Sequence, residues 1–384
     1  MNPTYKAPGF FPIFLITVMI TVELLTLPVL WFLELLPVAA LVIIGCVMVI
    51  LTTTVIRNVF AKKSKHPALR RVGGSLLSLC TTLLCLTGCV GALVLGGTLN
   101  TMFGSSELGG SHIVVPTNPT VDGFAIYLSG SDTRGSKLTK SRSDVNIIAT
   151  VNPSTKQILL VNTPRDYYVS NPAGSGAKDK LTHCGLYGTD NSREALSTLY
   201  DIPIAYAAQI NFKGFETLID AMGGVTVYSD VAFTTTAGGY YIQAGENKLN
   251  GAKALAFARE RSNLSGGDEA RGKNQMQLIT ALIKQASPSN IMTNYRQILS
   301  SLEGMFVTDM PLSTITKLVT TQISDLNQWE IFSYSVTGTG GTAYNYSAGG
   351  NAYVMHPNTD SVNHAAALMQ RMLEGQQITQ ADVG

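Results

Sequence analysis

The sequence predicts an α/β domain, a mixed central sheet flanked by helices in an α/β/α sandwich, set behind an all-helical transmembrane region. Three observations predict it. Three apolar runs near the front are almost free of charge. Behind them two strand-like runs, DVNIIATV and KQILLVNT, are joined by the turn sequence NPST at 152–155. Further strands and helices then follow without the regular βαβ alternation of a fully parallel sheet.

From Pro8 to Ile56 the only charged residues are Glu23 and Glu34, and from Val72 to Ser106 there are none. Crossing a bilayer takes ~20 apolar residues, because a helix rises ~1.5 Å per residue across ~30 Å of hydrocarbon. Residues 10–30, 35–56 and 75–97 each meet that length. A cleaved signal peptide has one short apolar region, not three long ones in series. The loop 57–71, RNVFAKKSKHPALRR, carries six Lys or Arg and no acid. The positive-inside rule puts it in the cytoplasm, with the N-terminus, and leaves everything beyond residue 98 outside. Four of the five cysteines fall in the spans, so Cys184 stands alone in the exported part. It has no internal disulfide partner, and the domain must be stable through its core. No zinc-like Cys/His spacing occurs. The net charge of +2 does not bear on nucleic acid, and the basic loop offers no helix-turn-helix pattern.

The expected organisation is a three-helix membrane region over 1–97, an extracellular linker over 98–120 rich in Gly, Ser, Thr and Pro, and an extracellular catalytic domain over 121–384. Within it FAIYLSG reads as a strand, followed by the NPST hairpin and a loop at 171–180. SREALSTLYD reads as a helix, IAYAAQI as a strand and FKGFETLIDAM as a helix stopped by Gly223 and Gly224 before strand VTVYS. LNGAKALAFARER and DEARGKNQMQLITALIKQA read as helices broken by SNLSGG. A helical stretch over 288–322, strand WEIFSYS, a Gly-rich loop at 338–350, strand AYVMH and a helix near 361–374 complete the chain.

Asp268, Arg271, Gln275, Ile279 and Leu282 lie at offsets 0, 3, 7, 11 and 14. At ~100° per residue they form one stripe about 60–80° wide. Its apolar end packs inward, so its polar end faces either a pocket or an exposed first turn with Asp268 favourable at the helix N-terminus. Arg259 and Arg261 converge on one ligand only if the helix ends near Arg259; otherwise they are basic residues at a helix C-terminus. Asp132 and Asp144 sit beside strand ends, and Arg142 and Arg165 lie near the hairpin's two ends. If FAIYLSG pairs beside the hairpin, these groups gather at one sheet edge. Hard cations take carboxylate oxygens, and guanidinium forks match phosphate oxygens. Two acids with several arginines suit a pyrophosphate better than a hydrolase triad. His183 and His356 read as structural.

GSDTRG, the hairpin segment SRSDVNIIATVNPSTKQILLVNTPRDYYV, DKLTHCGLYG, LIDAMGGVTV, LNGAKALAFARER and GDEARGKNQ occur in that order. These blocks, over about residues 122–286, resemble the LytR-CpsA-Psr family, and the multi-span front end is similar to its capsule-associated CpsA branch. A short linker stands where some CpsA members carry an accessory domain. The resemblance implies a membrane-anchored phosphotransferase that moves a glycopolymer, capsular polysaccharide in this branch, from a polyprenyl pyrophosphate carrier to peptidoglycan. It implies Mg2+ on Asp132 and Asp144, a pyrophosphate gripped by Arg142, Arg165, Arg259 and Arg261, and a clamp extended by Arg271 and Gln275. Asp268 would orient an arginine or assist proton removal, and Leu278, Ile279 and Leu282 would line the lipid groove. Capsule-assembly proteins are further implied partners, and nucleic acid is not one. A polyprenyl pyrophosphate phosphatase and a membrane-bound transcriptional regulator of capsule genes are the alternatives.

Overall fold

The structure is a computed structural model that describes residues 10–32, 38–60, 67–103, 116–133, 135, 137–285, 302–311, 313–315, 317–318 and 329–384. It divides into two units, Met1–Thr98 and Leu99–Gly384, each with its own interior.

The first unit is helical: α1 (Phe10–Phe32), α2 (Val38–Val59) and α3 (Pro67–Phe103). Each holds a stretch long and apolar enough to cross a membrane, Phe10–Leu27, Leu41–Val59 and Leu69–Val90. A small cluster of Ile16, Met19, Val55 and Val59 joins α1 to α2. The Ser78 hydroxyl donates to the Leu15 carbonyl at 3.0 Å and ties α3 to α1. Leu24, Leu25, Ile43, Leu83 and Leu84 point outward and are exposed. Such a surface is costly in water and suits hydrocarbon, where helices satisfy their own backbone groups.

The second unit opens with β1 (Phe124–Ser131), β2 (Ser143–Asn152), β3 (Gln157–Asn162), β4 (Tyr168–Ser170) and β5 (Lys178–Lys180). Then come α4 (Leu181–Cys184), α5 (Thr189–Tyr200), β6 (Tyr206–Asn211) and α6 (Phe212–Ala221). Three short strands follow β7 (Val225–Ser229): β8 (Phe233–Thr234), β9 (Tyr241–Ile242) and β10 (Gly245–Leu249). After α7 (Gly251–Arg259) and α8 (Asp268–Gln285) come β11 (Phe306–Thr308), β12 (Glu330–Ser335), β13 (Gly338–Asn345) and β14 (Gly350–Pro357). Helices α9 (Thr359–Leu373) and α10 (Gln380–Val383) end the chain.

A six-stranded sheet in the order β11-β6-β1-β2-β3-β12 forms the centre. Strands β1, β3, β6 and β12 run one way, and β2 and β11 run the other. Alternate side chains point to opposite faces of a strand. On one face Tyr127, Ile148, Leu159 and Val161 pack against Leu196 and Tyr200 of α5 and Leu368 and Met372 of α9. On the other, Ile147, Leu160 and Tyr206 pack against Met276 and Ile279 of α8. Both faces are covered, which is why β2 and β3 read as nearly continuous apolar runs. A third core joins Ile219 of α6, Val225 and Val227 of β7, Phe257 of α7 and Leu278 of α8. The mixed sheet flanked by helices is the predicted fold class.

Some elements differ from the sequence expectation. The Gly-rich run at 338–350 is largely strand: β13 pairs with β14 across eight residue pairs from Gly338↔Pro357 to Asn345↔Gly350. Its glycines clear space for rings, since a Cβ on Gly340 would lie 3.1 Å from the Tyr353 ring. The helical stretch expected over 288–322 contains β11, which pairs antiparallel with β6; 286–301 and 319–328 lie outside the described residues. The loop at 171–180 ends in β5, paired with β4. Helix α3 continues to Phe103, so the first residues of the expected linker are helical, and 104–115 lie outside the described residues. Helix α5 begins at Thr189, ahead of the expected Ser192.

Candidate active site

The parallel strands β1, β3 and β6 end at one edge of the sheet, where open α/β sheets bind ligands. β1 and β2 lose register there. Gly130 faces Val145, and the next residue, Ser131, faces Ser143, so Asp144 is the extra residue of a β-bulge. A bulge breaks strand alternation and re-aims a side chain. Gly130 is required by the close approach: a Cβ on it would lie 2.7 Å from a methyl of Val145. Beyond the end of β3, Arg165 turns back, and its Nη1 donates to Asp144 Oδ1 at 2.9 Å. Asp166 sits 3.6 Å from Arg165 Nε and 3.1 Å from Lys180 Nζ.

Helix α7 ends at Arg259, and Glu260 takes extended backbone with ψ 135°. This is the ending that lets Arg259 and Arg261 serve one site. The Arg259 guanidinium lies 4.5 Å from the centre of the Phe212 ring. Glu260, 2% exposed, fixes the turn: its carboxylate accepts from the amides of Thr236, Arg261 and Asn263 and from the Thr236 hydroxyl. Burial opposes its charge, but these donors hold its pKa below the ordinary carboxylate value. Sequence reading missed Glu260; the only signal was its place between two arginines at a helix stop.

The first turn of α8 supplies Asp268 and Arg271, joined at 2.7 Å. Gly272 lets α8 press onto the end of β3, since a Cβ there would lie 2.3 Å from Asn162 Nδ2. Asn274 and Gln275 donate to the Phe257 and Ala258 carbonyls at 3.1 and 3.2 Å. They satisfy orphan acceptors at the end of α7. One N–H of the Gln275 amide is thus spent on the α7 backbone, and the residue still lines the cavity described below. Burial pushes the Arg271 pKa down, and neighbouring Arg165 and Arg261 add to this against Asp268 and Asp144. For Arg165, burial also works against the charge, but the Asp144 hydrogen bond and the Asp144, Asp166 and Asp268 charges leave its pKa raised. These six groups share one electrostatic neighbourhood.

Behind the guanidinium groups lies a cavity of about 560 Å³, bordered by Asp144, Arg165, Arg259, Arg261, Arg271 and Gln275. Its depth is apolar, with Phe215, Leu218, Leu278, Ile279, Leu282 and Ile315. The stripe read from α8 lines it from Arg271 to Leu282. A second cavity, of about 540 Å³, shares the Arg165 and Arg261 wall and includes Asp268. Arg165 Nε and Arg271 Nε are both buried without a hydrogen-bond partner. Unsatisfied buried donors are rare and costly. Arg165 Nε has only Asp166 at 3.6 Å, and Asp268 Oδ1 beside Arg271 likewise makes no hydrogen bond, so polar capacity is left over at this edge of the apolar cavity.

Asp132 and Arg142 are exposed and line neither cavity. Asp132 directly follows the Ser131↔Ser143 pair at the bulge. Among the described residues no group of three or more His, Cys, Asp or Glu is placed for a metal. Mg2+ takes one or two carboxylates and fills its shell with phosphates and water. Asp132 and Asp144 fit such an ion in donor type and number. His183 Nδ1 lies 2.7 Å from the buried Asp179 carboxylate, which also accepts from Ser347. The carboxylate sits between the other two groups, so this is a structural tie and not a relay.

A deep apolar cavity closed by converging guanidinium groups at the carboxyl edge of a sheet defines a protein that can hold an amphiphile by an anionic head. The chain belongs to the LytR_cpsA_psr family, whose model matches residues 106–370. It is 32% identical over 197 residues to the Enterococcus faecalis protein named polyisoprenyl-teichoic acid–peptidoglycan teichoic acid transferase TagU, covering 51% of this chain and 64% of that one. The Oceanobacillus iheyensis protein of the same name is 34% identical over 228 residues, 58% of this chain and 69% of the other. The chain spans 60 to 69% of the length of such curated relatives. Among solved structures, TagV of B. subtilis aligns with a TM-score of 0.56 at 27% identity, over 67% of this chain and 99% of that one. TagT bound to LI-WTA shares the fold, with a TM-score of 0.57 at 24% identity over 71% of this chain and 99% of the other.

Proposed function

We propose that this protein transfers a glycopolymer from a polyprenyl pyrophosphate carrier to peptidoglycan, on the outer side of the membrane. The observation that carries the reading is the convergence of Arg165, Arg259, Arg261 and Arg271 on the apolar cavity, with Arg165 Nε and Arg271 Nε buried and making no hydrogen bond. In this reading the isoprenoid chain occupies the depth lined by Leu278, Ile279 and Leu282, and the diphosphate meets Arg165, Arg259, Arg261 and Arg271. Names of relatives supply the polymer class, teichoic acid, and the acceptor. The three-span front end is the only feature that leans toward capsular polysaccharide.

An acceptor hydroxyl attacks the phosphorus that bears the sugar. A new O–P bond forms, the bond to the bridging oxygen breaks, and lipid monophosphate leaves. Asp268, ion-paired to Arg271, takes the hydroxyl proton. Negative charge spreads over the phosphoryl oxygens in such a transition state, and fixed cations stabilise it without covalent catalysis. A Mg2+ ion, held by Asp132 and Asp144, would add positive charge at the diphosphate. The membrane helices keep the domain close to a donor that never leaves the bilayer, which raises its effective concentration.

The test uses full-length protein in nanodiscs with a labelled polyprenyl-pyrophosphoryl oligosaccharide and uncrosslinked glycan strands. The expected products are lipid monophosphate and labelled strand in equal amounts. Lipid monophosphate with free sugar phosphate in place of labelled strand would mean that water is the acceptor and the protein a phosphatase.

A further inference from the structure

The second cavity lies on the polar side of the arginines, away from the apolar lining of the first. Besides the shared arginines it is lined by Asp166, Lys180, Ser262, Asp268, Tyr353 and Met355. The hydroxyl end of the Tyr353 ring lies against Gly340, whose missing Cβ would sit 3.1 Å from Cε2 and 3.2 Å from the hydroxyl oxygen. Tyr353 is 52% exposed. Lys180 Nζ stands 5.7 Å from the ring centre and also pairs with Asp166. In the β13–β14 register Tyr353 faces Thr342, and Tyr344, two residues on, shares that outward face and is 56% exposed.

This hairpin is held rigidly. Ser347 at its turn bonds to buried Asp179. The Tyr168 hydroxyl donates to the Tyr344 carbonyl at 2.7 Å, and the Met355 amide donates to the Asp166 carbonyl at 2.8 Å. An exposed aromatic ring beside carboxylates, an ammonium and a hydroxyl matches a pyranose ring. The apolar C–H face of the sugar covers the ring, and its hydroxyls reach the polar groups.

We infer that this cavity and the outer face of the β13–β14 hairpin form a saccharide site that holds the acceptor glycan. The inference rests on the reading that the lipid fills the apolar cavity. In phosphoryl transfer the attacking and leaving oxygens lie roughly in line. The lipid phosphate departs on the apolar side of the Arg165–Arg261 wall, so the attacking hydroxyl approaches from the other side, where this cavity opens. The exposed face from Tyr353 to Tyr344 extends the site along a strand longer than one sugar.

Full-length protein in nanodiscs is assayed with the lipid-linked donor and uncrosslinked glycan strands, alongside Tyr353→Ala, Tyr353→Phe and Gly340→Ala. Gly340→Ala lifts the ring without removing it, and so covers the case in which Tyr353→Ala fails to fold. Tyr353→Ala and Gly340→Ala are expected to raise KM for the strands about five- to tenfold with donor KM unchanged, while Tyr353→Phe stays within about twofold of the parent. A rise in donor KM alone would assign the cavity to the donor's first sugar and overturn the inference. So would variants that move neither constant. Separately, sugar-free polyprenyl pyrophosphate is titrated onto the unmutated protein; failure to bind would sink the lipid reading alone. Saturation-transfer NMR with tetra-N-acetylchitotetraose then decides the saccharide site by itself. Transfer lost in Tyr353→Ala supports it, and equal transfer in both proteins refutes it.

Discussion

Glu260→Gln is the sharpest probe of how the arginine pair is positioned. Oε1 accepts from the amides of Arg261 and Asn263 and from the Thr236 hydroxyl, each at 3.0 Å, and Oε2 accepts from the Thr236 amide. Glutamine keeps the shape but offers one acceptor oxygen, and its NH2 then opposes the Thr236 N–H. Hydrogen bonds to charged groups contribute about 1.5–3 kcal/mol, against 0.5–1.5 for neutral ones. Three weakened bonds and one opposed donor pair come to about 3–6 kcal/mol. Relief of the buried charge offsets part of that, leaving on the order of 2–4 kcal/mol. If expressed in local opening, this is about 30- to 1000-fold. Hydrogen–deuterium exchange of a peptide spanning 258–264 reads it directly, through the Arg261 and Asn263 amides. The folded pKa of Glu260 is depressed, so its contribution is complete above the ordinary carboxylate pKa and fades as pH falls through the folded value. Unchanged exchange of those amides in Glu260→Gln would refute the claim that this carboxylate holds the turn.

Other outcomes follow from the same geometry. Arg165→Ala should lower turnover by about 10- to 1000-fold, and Arg165→Lys should not restore it, because an ammonium cannot reproduce the fork that meets Asp144 and an anion together; steady-state transfer assays check both. Ile279→Trp should block binding of long-chain polyprenyl pyrophosphate while leaving inorganic pyrophosphate binding intact, read by titration. Hydrogen bonds from His183 and Ser347 overcome burial and hold Asp179 at a pKa of about 2. Its contribution is therefore full above about pH 4 and lost as pH falls through about 2, and near-UV circular dichroism should show the tyrosine-rich hairpin loosening in that window. Burial pushes the Cys184 thiol up to about 12, so a membrane-impermeant maleimide should leave it unmodified until the protein unfolds, as mass spectrometry would show.

Much of the fold was legible because β2, β3 and β6 are buried strands bounded by turn residues, and α8 carries a single stripe. The stripe from Arg271 to Leu282 could be read as a pocket wall since helical period fixes which residues share a side. The glycine run at 338–350 misled for a physical reason: its glycines make room for Tyr353 and His356 rings, a tertiary demand with no local sequence signature. Strand β11 is three residues long and lies at a sheet edge, too short for periodicity to reveal. The place of Gln275 on the stripe is visible in sequence, whereas the Ala258 carbonyl that takes one of its N–H groups is not. The bulge at Asp144 was equally hidden, since nothing in SRSDVNI marks which residue is skipped in pairing.

That bulge separates architecture from chemistry. Asp144 has no partner of its own across β1, so deleting this one residue would let Ser143 and Val145 fall into ordinary alternation opposite Ser131 and Gly130. The sheet would become more regular while Arg165 lost its hydrogen-bonded counterion. A lineage could thus lose the site through a three-nucleotide deletion and still keep a well-folded domain.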